Sequence, residues 1–173
     1  MFGTNSKILL LGAFLSMGVG LPACGTPTAK APQLSPQAMP EGETWAGVYY
    51  HPVFGNLHLV EQDTHIVGKW KRTDQSHWGE LDGTKSGNVI RFSWKEHKYG
   101  SIGPSSTADG KGYFVYKVGA SKIPEITGEY GLKNDEAGSS WNCVKQLNVK
   151  PDLDSIKGEI GGTEIPTTQD SWQ

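Results

Sequence analysis

The chain has 173 residues, of which 16 are basic and 18 acidic, for a formal net charge of −2. So neutral a chain lacks the basic face that phosphate neutralisation demands, which argues against nucleic acid as a partner. Hydrophobic residues make up only 36 %, diluted by 23 glycines and 10 prolines, and six tryptophans and six tyrosines supply the bulk for one modest core rather than two.

The first element in the chain is an apolar stretch, residues 8–20 (ILLLGAFLSMGVG), preceded by Lys7. A membrane-spanning helix needs about 20 apolar residues. This run is shorter, carries Gly12, Gly18 and Gly20, and ends at Pro22. It reads as a cleaved export signal over residues 1–23 rather than a retained span. The residues Leu21-Pro22-Ala23-Cys24 resemble the lipobox of bacterial lipoproteins, with Leu21 at minus three, Ala23 at the cleavage position and Cys24 as acceptor. That resemblance implies cleavage after Ala23, a diacylglyceryl thioether on Cys24, and acylation (palmitate or a similar chain) of the new amino terminus. Several acyl chains hold a protein stably to a membrane where one does not. Gly25 follows the cysteine instead of an aspartate, which by the same resemblance implies delivery to the outer membrane of a bacterial cell envelope.

Residues 24–43 carry Pro27, Pro32, Pro36 and Pro40, a spacing that forbids helix and favours extended chain. At roughly 3.1 Å per residue the stretch reads as a tether able to hold a domain up to about 50 Å from the bilayer.

From Thr44 the pattern changes to period-two alternation punctuated by glycine turns. Runs at 44–50, 56–61, 65–72, 78–85, 89–96, 112–118, 125–130 and 141–146 predict about eight short strands, with a longer Gly/Ser loop over 97–111. Three of them share apolar-x-Gly-x-aromatic: Trp45-Gly47-Tyr49, Ile66-Gly68-Trp70 and Ile126-Gly128-Tyr130. In a strand these positions share a face, and a glycine between two large residues lets the strand coil as a small barrel requires. Closure also protects the edges of many consecutive antiparallel strands. The expectation is an all-β fold, a small up-and-down antiparallel barrel over residues 44–147, with a two-sheet sandwich as the alternative. Residues 148–173, with Pro151, Gly158, Gly161, Gly162 and Pro166, are weakly patterned and read as a flexible tail.

Little in the chain points to catalysis. His51, His58, His65, His77 and His97 fall in turns or opposite the apolar positions of their strands, and the His58/His65 pair lacks a carboxylate partner for a metal. The serines of the 97–111 loop form no nucleophile elbow. Glu80 with Asp82, and Glu125 with Glu129, point outward, where nothing raises a carboxyl pKa for acid catalysis. With Cys24 acylated, Cys143 has no disulfide partner and reads as a buried, inert thiol. No enzyme activity, metal or cofactor is expected.

The aromatics remain. Tyr49, Trp70, Phe92, Trp94, Tyr116, Tyr130 and Trp141 converge on the expected interior, either filling it or leaving an aromatic mouth. Residues 88–95 (NVIRFSWK) and 140–145 (SWNCVK) resemble the avidin and lipocalin-like class of eight-stranded barrels. The resemblance implies Trp94 and Trp141 as ligand-lining residues with Trp70 a third. Tyr49 and Ser93 are the only matches to the polar set with which avidins hold the ureido group of biotin, so the architecture is expected and biotin is not. The first functional reading is a lipid-anchored barrel binding a small ligand or glycan at its mouth near the 97–111 loop. The second is a structural or interaction lipoprotein, an envelope assembly partner or hydrolase inhibitor, with a filled barrel and an apolar patch around Tyr50, Val53, Phe54 or Tyr99.

Overall fold

The structure is a computed structural model that describes residues 29–158. The signal peptide, cleavage after Ala23, acylation of Cys24 and the end of the expected tail concern residues outside those described.

Among the described residues nine strands follow one another: β1 (Gly47–His51), β2 (Gly55–Gln62), β3 (His65–Lys71), β4 (His77–Ser86), β5 (Val89–Lys98), β6 (Thr107–Val118), β7 (Pro124–Leu132), β8 (Ser139–Ser140) and β9 (Cys143–Lys145). Each of β1 to β7 pairs antiparallel with the next, and β9 bridges β7 and β1 to close an eight-stranded up-and-down barrel. The short β8 pairs with β7 alone, and Trp141 and Asn142 separate it from β9. The seam is brief: Tyr49 faces Lys145 and Tyr50 faces Val144 on one side, Glu125 faces Val144 and Ile126 faces Cys143 on the other.

Alternation produces the two faces. In β3, Ile66, Gly68 and Trp70 are buried while His65, Val67, Lys69 and Lys71 are partly exposed. The inward glycines are spaces for neighbouring rings. A Cβ on Gly79 would lie 2.1 Å from the Trp70 ring, and one on Gly112 would lie 2.6 Å from that of Phe92. The expected loop over 97–111 is shorter than its glycines suggest. Strand pairing continues through Glu96 with Ala108 and His97 with Thr107, leaving 99–106 as the loop with one 3-10 turn (Pro104–Ser106). Gly110 is a strand residue here, paired with Trp94, and Gly112 makes room for the Phe92 ring.

Turns 63–64, 87–88 and 119–123 gather at one end. Loops 52–54, 72–76, 99–106 and 133–138 gather at the other, called the mouth. The first end is sealed by chain that precedes β1. Met39 packs against the core, Trp45 is buried with its Nε1 donating to Gly87 O at 3.1 Å, and Tyr49 donates its hydroxyl to Trp45 O at 2.9 Å. Tyr116 donates to Glu43, and Lys145 Nζ donates to Thr44 O at 2.8 Å.

Two flanking segments bind the outer wall. Residues 29–43 of the proline-rich stretch form no helix or strand, but from Lys30 onward they are docked rather than free: Arg91 Nη2 donates to Pro32 O at 2.8 Å, and Gln37 exchanges two hydrogen bonds with Asn88. Beyond β9 the chain crosses β1 to β5, with Asp152 N donating to His58 Nδ1 at 2.9 Å, Ile156 buried, and Tyr99 donating to Lys157 O at 3.0 Å. Residues 148–158, expected to be tail, are thus held on the barrel by hydrogen bonds to their backbone.

Candidate functional site: the barrel mouth

Strand parity brings the site together. Trp70 and Arg72 lie two apart on β3 and the residue after it, and Trp94 and Glu96 lie two apart on β5, so each pair faces inward. Leu132 ends β7, with Tyr130 two residues inside it. Between these side chains, with Phe54, Ala108 and Trp141, lies a hollow of about 180 Å³.

Trp141 is its floor. Its ring centroid lies 4.7 Å from that of Phe54 and 5.0 Å from that of Trp70, the latter edge-on. Tyr130 meets Trp94 at 5.6 Å, also edge-on, in the geometry that the ring quadrupoles favour. Trp94 cannot swing freely, since its Nε1 donates to both Lys111 O and Gly131 O.

The polar part is one ion pair. Arg72 donates from Nε to Glu96 Oε1 at 2.8 Å and from Nη2 to Oε2 at 2.7 Å, and Trp70 Nε1 adds a third donor to Oε1 at 3.2 Å. Glu96 is only 7 % exposed. A carboxylate buried to that degree is tolerable because it is fully hydrogen-bonded and paired. The hydrogen bond from Arg72 to Glu96 is the main cause of the raised guanidinium pKa, so Arg72 stays charged. The same guanidinium lies 5.4 Å from the centre of the Phe54 ring. The Tyr130 hydroxyl has no hydrogen-bond partner among the described residues.

Of the five side chains expected to line a ligand, Trp70, Trp94 and Trp141 do meet at the mouth. Tyr49 faces inward but at the sealed end, where burial, first, and then the nearby Tyr116 and Glu43 push its phenol pKa well up. Ser93 stands exposed on the outer wall, its hydroxyl turned to Asp82 O. Arg72 and Glu96 escaped the sequence reading, though a signal existed: Trp70-x-Arg72 and Trp94-x-Glu96 place opposite charges at matching inward positions of two strands.

No family model, curated protein or solved structure matches the chain. The mouth is therefore read from its own chemistry. Among the described residues no three His, Cys, Asp or Glu side chains converge to hold a metal ion. Cys143 is buried, and burial pushes its thiol up to about 12, so it offers no nucleophile at neutral pH. What the mouth does offer is a rigid aromatic box with a hydrogen-bonding lip of zero net charge.

Proposed function

We propose that the protein is a lipid-anchored barrel of the bacterial cell envelope that binds a small neutral ring, free or as the terminal sugar of a glycan, at its mouth. The observation that carries the reading is the hollow itself, walled by Trp70, Trp94, Tyr130 and Trp141 and rimmed by the Arg72–Glu96 pair. Its small size limits the occupant to a single small ring. Stacking on the indoles supplies affinity, and the fixed polar lip supplies orientation. The ion pair is neutral as a unit, so a charged ligand would meet one repulsive partner; a neutral ring with hydroxyl or carbonyl groups meets none. The anchor rests on the resemblance of residues 21–24 to a lipobox.

A second reading, an interaction module with a filled interior, is favoured by the deeper core. Below Trp141 the barrel is packed by Phe92, Phe114 and Ile126, while Tyr50 and Val53 stand exposed on the surface.

Tryptophan fluorescence of the mature protein, titrated with monosaccharides and single-ring heterocycles, separates the two. A saturable spectral shift that Trp94→Ala abolishes is the expected result. If the whole panel left the spectrum unchanged, the ligand-binding reading would be overturned. Radiolabelled palmitate taken up by the expressed chain, and lost in Cys24→Ala, is the expected result for the anchor.

A further inference from the structure

The described chain enters the barrel beside its mouth. Lys30 donates its backbone N–H to Asp135 Oδ1 at 2.9 Å, and its carbonyl accepts from Glu136 N at 2.7 Å. Both partners belong to the mouth-end loop that follows β7. From there residues 30–37 run down the wall to the turn at Asn88, at the sealed end, pinned on the way by Arg91. These residues are spent on the wall and give no slack. Between Cys24 and the barrel only residues 24–29 remain, six residues that span at most about 20 Å.

The loops at this end also carry apolar side chains that the fold leaves uncovered. Val53 is 54 % exposed, Ile102 80 % and Leu132 63 %, each from a different loop or strand end. Lys30, Lys98 and Lys133 are exposed at the same end and outnumber the exposed Asp74 of loop 72–76, while Asp135 accepts the backbone N–H of Lys30 and Glu136 is paired with Arg91. Apolar side chains flanked by lysines are the composition of a surface that settles into a lipid interface.

We propose that the mouth-end rim rests on the lipid bilayer, with Val53, Ile102 and Leu132 in the interfacial layer and the hollow opening towards the headgroups. The proposal rests on acylation of Cys24 as read above, because the short leash is what holds this end down. The ligand ring is then one presented from the membrane surface, and the sealed end points away from it.

The test uses the full acylated chain reconstituted in phosphatidylcholine/phosphatidylglycerol vesicles whose acyl chains are brominated. An environment-sensitive fluorophore is placed on Ile102→Cys, on Leu132→Cys or, at the sealed end, on Ile123→Cys. All three sites are exposed, and the buried Cys143 thiol does not compete for the label. Quenching by the brominated lipid at positions 102 and 132 several-fold above that at 123 is expected. Equal quenching, or stronger quenching at 123, overturns the orientation. Palmitate incorporation is measured on the same preparation. Its absence overturns the anchor and this orientation with it, whereas palmitate present with position 123 quenched overturns the orientation alone.

Discussion

At the sealed end of the barrel, aromatic rings and their polar atoms are all spoken for: Trp45 donates to Gly87, Tyr49 to Trp45, Tyr116 to Glu43, and Lys145 to Thr44. At the mouth, Trp70 and Trp141 are as fully buried as Trp45, but Trp94, Tyr130 and the Arg72–Glu96 pair border a hollow. The difference lies in what comes from outside the strands. An eight-stranded barrel can be filled by its own inward side chains, but its end is capped only if further chain lies across it. Residues 39–45 do that at one end. At the other, loop 99–106 leaves the rim open, and Ala108 is too small to reach across. The mouth is a place where the fold declines to add a plug, and the paired charges of Arg72 and Glu96 stand where a plug would sit.

The contrast can be broken most severely at the sealed end. Trp45→Ala removes a fully buried indole and its hydrogen bond, and should cost about 3–5 kcal/mol in urea unfolding. At the mouth, Arg72→Ala leaves the buried Glu96 with only the Trp70 indole as donor, which should cost about 2–3 kcal/mol. The double variant Arg72→Met with Glu96→Leu should recover most of that loss, since an apolar pair needs no partner. A double variant as unstable as Arg72→Ala would show that the pair is not what holds the rim.

Acid should weaken the sealed end through Glu61. Burial works to raise its pKa, but hydrogen bonds from Lys85, Thr44 and Trp45 N outweigh this and hold the carboxyl below its ordinary value of 4.5. A group depressed in the folded state stabilises the fold above that ordinary value, and the contribution is lost as pH falls through the folded value. Urea midpoints measured from pH 7 downward should therefore drop in the acid range, and less steeply in Glu61→Gln. The smallest expected change in stability, within about 0.5 kcal/mol, is that of Ala108→Phe. Its ring has room to lie over the hollow, so it should abolish the fluorescence response to ligand while leaving the urea midpoint in place.

The strands were legible because each carries its own parity, and the large aromatics mark the inner face at every second residue. Parity fixes a face but not a height. It placed Tyr49 correctly inside and could not say that it lies at the sealed end. The same alternation, Phe92-Ser93-Trp94, turns Ser93 outward, and only the family resemblance had drawn it towards the ligand. Arg72 and Glu96 went unread because each sits just past a tryptophan at the end of a strand pattern, where a charge ordinarily marks solvent. The docked flanks were illegible for a different reason. Their anchors are the backbone atoms of Lys30, Pro32, Gln37, Asp152 and Lys157, and every residue carries a backbone, so no pattern announces which ones will be used.

The brief seam at β9 has a consequence for timing. Strands β1 to β7 are joined to their neighbours by connections of two to eight residues, so they can pair as soon as they are made, whereas β9 must bring residue 145 back to residue 49. Contacts so remote in sequence form late, because the entropy of closing a long loop is lost before they repay it. Until then the chain is a curled sheet with two bare margins, and whether it becomes a cylinder is decided by a handful of residues around Trp141 that arrive last.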